Sequence, residues 1–183
     1  MWVHDRRGRE VGAELFGTDP SRPVRQFAPG SREDAAFLLE TQPGTTYTAS
    51  LKYQEIVLVK DAMDALAYAE QRRDIGRIPA LVASTGGLRS SLETHIVSDL
   101  ARQSDKETGL YTRYAIAYDA DEAGDHASDA LAGWFSESRR VHWAVRRERP
   151  AETDWTQSLA SQQGTEIKFQ QQPSSLSSYT IDF

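Results

Sequence analysis

The sequence predicts an α/β fold: a parallel sheet core flanked by helices, preceded by an antiparallel β-hairpin subdomain. Three observations carry this. Ile56-Val57-Leu58-Val59 is a wholly apolar, β-branched run of the kind buried on both faces of a parallel sheet. From residue 55 to 146, strand-like runs alternate with helical patterns in the order β-α-β-α-β-α-β, which implies right-handed crossovers and helices covering the sheet. Before residue 50 the texture is instead one of short segments punctuated by Gly and Pro, as in antiparallel β structure. The expected divisions are a β-rich subdomain over 1–50, the α/β core over 51–149, a C-terminal helix over 150–163 and a mobile tail over 164–183.

Taken in order, Trp2-Val-His-Asp and Glu10 to Phe16 flank Arg6-Arg7-Gly8-Arg9 and read as a hairpin around a Gly-containing turn. Its second arm alternates Val11, Ala13 and Leu15 against Glu10, Gly12 and Glu14. Val24 to Phe27 and Ala35 to Glu40 add short strands. After the 56–59 run, Asp61 to Arg73 carries Met63, Leu66 and Ala67 at helical spacing, with Asp61 and Asp64 in the first turn, where the helix dipole favours acids. Ile78 to Ser84 is a second core strand ending in Thr85-Gly86-Gly87, and Leu88 to Ala101 a second helix. Tyr114 to Tyr118 is the third strand, Gly124 to Ser136 the third helix, and Val141 to Val145 the fourth strand, with Arg146 and Arg147 after it. Ala151 to Ser161 reads as a last helix, in which Trp155 is a packing anchor. The Ser- and Gln-rich stretch beyond Gly164 is too polar to build a core.

Composition narrows the function. At 183 residues, with 39% hydrophobic and 26% charged, the chain suits one soluble domain with a sizeable core. It contains no cysteine, which excludes disulfides, thiol catalysis and thiolate zinc sites. No run reaches membrane-span length and the N-terminus lacks a signal-peptide core, so a cytoplasmic protein with no membrane partner is expected. A net charge of −6 argues against coating nucleic acid by charge alone, yet Arg6, Arg7, Arg9, Arg25, Arg32 and Lys52 gather in the first third. The four histidines show no zinc-like spacing, and Ser84 and Ser90 have no assignable triad partners.

The most site-like stretch is Tyr118-Asp-Ala-Asp-Glu-Ala-Gly124, where Asp119 and Asp121 end a buried strand. Two readings stand. The carboxylates, two apart on extended backbone, share one hard cation; or Asp121 caps the next helix while Asp119 is a solvated loop acid. Gly86 and Gly87, between a strand and a helix, suit either close approach to a phosphate, reinforced by Arg89, or simply a tight turn.

Three pieces together are more specific than any alone: Lys60 followed by Asp-Ala-Met-Asp-Ala-Leu (61–66), Ser-Thr-Gly-Gly (84–87) and Tyr-Asp-Ala-Asp-Glu-Ala-Gly (118–124). In this order they resemble the Toprim domain of bacterial primases, topoisomerases and related nucleases. The N-terminal hairpin and Pro150 to Leu159 are similar to the flanks of Toprim-like modules in plasmid relaxases and mobilisation primases. The resemblance implies Mg²⁺ or Mn²⁺ on Asp119 and Asp121, and primer synthesis or, second, strand cleavage. It also implies DNA or RNA partners, chiefly single-stranded, with nucleotides and replication or mobilisation proteins beside them. The hairpin arginines Arg6, Arg7 and Arg9 correspond to a part of primases near the template path.

One departure stands out, because Lys60 occupies the position of the family's catalytic Glu, and Asp61 that of the following Gly. A lysine cannot ligate Mg²⁺ as a cation, though it can meet a phosphate. Asp64 or Asp61 remains as a substitute carboxylate. The resemblance therefore implies either a primase-like metal-dependent nucleotidyl or phosphoryl transferase, or a catalytically degenerate module that binds nucleic acid or a replication or mobilisation partner. Larger members carry a helicase, relaxase or zinc-binding domain that these residues do not contain, so an autonomous replication enzyme is the less expected form.

Overall fold

A computed structural model describes residues 1–4, 9–17, 24–32, 35–41, 55–73, 80–87, 113–137 and 144–170. Strands β1 (Trp2–His4), β2 (Glu10–Phe16) and β3 (Arg25–Phe27) form a three-stranded antiparallel sheet in the order β1-β2-β3. Strands β4 (Phe37–Glu40), β5 (Glu55–Val59), β6 (Ala80–Ser84), β7 (Arg113–Ile116) and β8 (Ala144–Arg147) form a second sheet in the order β4-β6-β5-β7-β8. In it β6, β5, β7 and β8 are parallel and β4 runs antiparallel along β6. The predicted architecture, a mostly parallel sheet flanked by helices with an antiparallel sheet at its N-terminal side, is the one observed. The strand at 37–40, from the first fifty residues, belongs to the core sheet, and a bridge from His4 to Ala36 ties β1 to it.

Alternate residues of the central strands feed two cores, as the period of two requires. Ile56, Leu58, Leu81, Tyr114 and Ile116 pack with Leu131 and Phe135 of α2 (Glu122–Glu137). On the other face Val57, Val59, Val82, Ala115 and Ala117 pack with Ala65 and Tyr68 of α1 (Ala62–Arg73) and Trp155 of α3 (Trp155–Gln170). All five residues of β5 and of β6 are buried, which explains why neither shows polar alternation.

Several local expectations are corrected. Leu66 of α1 is 40% exposed; the inner face is Ala62, Ala65, Tyr68 and Arg72, because small residues let the helix lie close to the sheet. Arg146 and Arg147 lie within the edge strand β8, not after it, since an edge strand tolerates long charged side chains that reach around the sheet. Helix α3 starts at Trp155 behind an Asp154 cap and runs to Gln170, against the 151–161 expected. In β2 the alternation is right, but the docked face is the polar one: Glu14 is 4% exposed whereas Leu15 is 39% exposed. The helix expected at 88–101 and the start of the strand expected at 141 lie outside the described residues.

Candidate functional site

Three strand ends converge at the carboxyl edge of the core sheet. Lys60 follows β5, Thr85-Gly86-Gly87 follows β6, and Asp119 to Asp121 lie beyond β7. The backbone ties these ends together: Thr85 N–H donates to Val59 O (3.1 Å), Gly87 N–H to Lys60 O (2.8 Å) and Ala117 N–H to Leu58 O (2.8 Å).

Both described helices that leave this edge are capped by their own acids. Asp61 Oδ1 accepts from Met63 N–H (2.9 Å) and Asp64 N–H (3.0 Å), satisfying the second and third amides of α1. The first amide, Ala62 N–H, donates to Glu14 Oε2 from the N-terminal sheet (2.9 Å), and Ser84 Oγ donates to the other oxygen of Glu14. Asp121 Oδ1 accepts from Gly124 N–H (2.7 Å) and caps α2. Gly124 has to be glycine, since a Cβ there would collide with the carbonyl of Asp119. That carbonyl also accepts from Arg147 Nη2 at 2.7 Å, so the Asp-Ala-Asp-Glu-Ala-Gly string folds back over the helix start.

The side chains brought together are Lys60 and Asp119. Lys60 Nζ forms an ion pair with Asp119 Oδ2; the lysine side chain is 29% exposed and the aspartate side chain 4%. Asp119 Oδ1 is buried and has no hydrogen-bond partner among the described residues. Burial pushes the Asp119 carboxyl above its ordinary value of 3.8; Lys60 opposes this, while Asp121 and Asp154 add to it. Of the two readings of the acid pair, the capping one holds for Asp121. Asp119, however, is no solvated loop acid.

The other expected residues are distributed as follows. Asp64 is buried in the first turn of α1, where its Oδ1 accepts from Thr156 Oγ1 of α3 (3.4 Å). Gly86 and Gly87 both have positive φ, and both amides are engaged internally, Gly86 N–H with Ser84 Oγ (3.3 Å) and Gly87 N–H with Lys60 O. A Cβ at Gly86 would meet the ring of Phe27, so this glycine admits the N-terminal sheet. Arg9 is exposed beside β2, while Arg6, Arg7 and Arg89 lie outside the described residues. Sequence reasoning missed Glu14 and Asp154: an isolated Glu in an alternating strand carries no signal of burial, and an Asp just ahead of a helix signals only a cap.

The arrangement does not fit a divalent ion. One Asp119 oxygen is held by an ammonium, one Asp121 oxygen by a helix amide, and no three acidic or histidine side chains gather as ligands among the described residues. Mg²⁺ and Mn²⁺ prefer several anionic oxygens, and a lysine at the centre repels the cation itself. No chemical step is therefore routed through a metal.

Residues 57–159 match the Toprim-like family. No curated protein matches the sequence. Among solved structures, the fold is similar to a DNA primase domain from Pseudomonas aeruginosa, with TM-score 0.57 and 20% identity over 94% of this chain and 50% of that one. It is also similar to the primase fragment of the bacteriophage T7 primase-helicase protein, with TM-score 0.56 and 19% identity over 92% and 60%. A third similar chain comes from a structure of the T7 lagging-strand DNA polymerase interacting with primase domains bound to an RNA/DNA hybrid and dTTP (TM-score 0.53, 18% identity, 92% and 74% covered). At such identities the likeness is one of fold. The chain spans 60% of the T7 fragment and half of the Pseudomonas domain.

Proposed function

The chain belongs to the Toprim-like family, and from that premise we propose a primase-like nucleic-acid module of a replication or plasmid-mobilisation assembly, one that binds nucleic acid without metal-dependent turnover. The observation that supports this reading best is the ion pair between Lys60 and Asp119. The carboxylate that would hold a metal is neutralised by a cation belonging to the chain itself. Lys60, partly exposed on a flexible stem, also offers a point charge to a phosphate. Arg9, with Arg6, Arg7 and Arg89, would add backbone contacts that position a strand without reading its sequence. The fold of primase domains, one of them bound to an RNA/DNA hybrid in its own structure, supports single-stranded or hybrid nucleic acid as partner.

A second reading, primase-like nucleotidyl transfer with Mg²⁺ on Asp119 and Asp121, is favoured by one observation: Asp119 Oδ1 is buried and unmet among the described residues.

One experiment separates the two. Oligonucleotide binding is measured by fluorescence anisotropy in EDTA and in Mg²⁺ or Mn²⁺, metal binding by calorimetry, and primer synthesis and nicking on single-stranded and supercoiled DNA. Parent, Lys60→Glu and Asp119→Ala are compared. The parent is expected to bind single strands equally with and without metal and to make no primers, while Lys60→Glu gains metal binding. Primer synthesis by the parent that Asp119→Ala abolishes would replace this reading with the second. A parent that binds neither metal nor nucleic acid refutes both.

A further inference from the structure

We propose that the outer face of the β1-β2-β3 sheet is a stacking platform for single-stranded nucleic acid, with Trp2 as the ring on which a base rests. The inference rests on the nucleic-acid reading above and adds to it a surface separate from the Lys60 site.

Strand register defines the face. Trp2 lies opposite Ala13 and Leu15 opposite Gln26, while Gly17 N–H donates to Val24 O (2.8 Å). With a side-chain period of two, Trp2, Ala13, Leu15, Val24 and Gln26 share one side of the sheet. The opposite side is committed to the core: Val3 is fully buried, Glu14 bonds to Ala62 and Ser84, and the Phe27 ring lies against Gly86. The outer side holds the exposed apolar residues of the sheet. There Trp2 is 61% exposed, Val24 41% and Leu15 39%.

The water-facing side of an antiparallel sheet is ordinarily polar. This one carries an indole, three aliphatic side chains and one amide, with no charge among the five. The segment that builds it, by contrast, is rich in arginine. Residues 1–32 hold six arginines against four acids, one of them the buried Glu14, in a chain whose net charge is −6. Arg9 and Arg32 are both exposed, the first next to Glu10 at the start of β2, the second donating its N–H to Val11 O (3.1 Å).

That combination selects the occupant. A flat apolar ring takes the face of any base, and arginines beside it take the phosphates on either side. An apolar protein partner would have no use for the local arginine excess. A duplex would present its phosphates but keep its bases stacked inside, out of reach of Trp2.

The test uses a fluorescein-labelled oligothymidylate and a duplex of the same length, with parent, Trp2→Ala and Trp2→Phe compared by anisotropy across a salt series. Folding is verified by circular dichroism. Trp2→Ala is expected to weaken single-strand binding about tenfold, as loss of one stacked base does, and Trp2→Phe to keep most of it. The salt slope and duplex binding stay unchanged, because phosphate contacts are intact. The parent's tryptophan fluorescence is quenched on binding, and Trp2→Phe lacks that component, which gives a readout even where Trp2→Ala folds poorly. If Trp2→Ala and Trp2→Phe bind and quench like a parent that does bind, the platform is refuted and the proposed function stands. If the parent binds no single strand, the proposed function falls and the platform with it. Dissociation of a dimer by Trp2→Ala, with oligonucleotide affinity unchanged, would reassign the face to contact between copies and overturn the inference.

Discussion

The two ends of β5 carry ion pairs of opposite character. At the amino end Glu55, fully buried, has one oxygen on Arg72 of α1 and the other on Arg146 of β8. Arg146 also meets Glu148, which accepts from the Tyr68 hydroxyl at 2.6 Å, and that hydroxyl accepts from Arg72 Nη1 at 2.6 Å. Burial and the neighbouring Glu148 hold Tyr68 firmly in its neutral, donating form. At the carboxyl end Lys60 meets one oxygen of Asp119, and the other oxygen is buried and unmet among the described residues. Taking charges out of water is offset only when the charge is well paired, so a carboxylate with both oxygens on arginines suits a device that holds β5, α1 and β8 in register. A half-met carboxylate is a cost that a scaffold does not need. The contrast separates the end of the strand that builds the fold from the end at which we propose a ligand.

The sharpest way to break this contrast is to open both assemblies and compare unfolding by denaturant. Glu55→Gln removes the buried charge that Arg72 and Arg146 share and is expected to cost about 3–5 kcal/mol. Lys60→Met strands the Asp119 carboxylate and should cost less, about 1–3 kcal/mol at neutral pH. The two ends are not different in kind if the second loss equals or exceeds the first.

An asymmetry inside the Lys60 pair sharpens the comparison further. Asp119→Asn leaves only a partly exposed lysine, which water can solvate, and should cost under about 1 kcal/mol. The Lys60→Met loss should also depend on pH. The Asp119 carboxyl already lies above 3.8 in the folded chain, and removing Lys60 raises it more. The native state then binds more protons than the unfolded state from about pH 3.8 upward, so stability falls as pH rises through that window and returns on acidification. A loss that is flat with pH would show that Asp119 is not the group left stranded.

The smallest effect concerns Glu14, the second acid held above its ordinary value, here 4.5, at the same end of the sheet. Burial is the main cause, with Asp61 adding to it; the bonds from Ser84 and Ala62 oppose the rise without cancelling it. By the same sign rule the parent loses stability as pH rises above 4.5. Glu14→Gln keeps an acceptor for Ala62 N–H and is expected to be more stable than the parent at neutral pH, with the margin disappearing below pH 4.5. A variant less stable than the parent at pH 7 would mean that the negative charge itself is needed at the start of α1.

Much of this was legible in the sequence, and the parts that were not share a cause. The run at 56–59 and the acid pair after Tyr114 to Tyr118 point to a parallel sheet with a site at its carboxyl edge, because burial on both faces and strand-end acids are local patterns. The identity of the two oxygens on Asp121 and Asp119 was not local. Capping by Asp121 is readable from Gly124 three residues on, but the partner of Asp119 comes from a different strand, 59 residues away. The same holds for β2, where Val11, Ala13 and Leu15 look like the inward face until Ser84 and Ala62 claim Glu14. Leu66 misleads for a related reason: an alanine-rich helix docks by its small residues and turns its largest aliphatic chain outward.

Glu14 has one more consequence, in the order in which contacts can be made. Its partners lie 48 and 70 residues downstream, whereas the β1-β2 hairpin it sits on closes over about ten residues. The chain can thus zip the hairpin early, yet it cannot finish the start of α1 until that distant strand arrives to supply its first acceptor. The carboxyl edge of the core, Lys60 and Asp119 included, is in this sense completed from outside the core, by a residue from the opening segment of the chain.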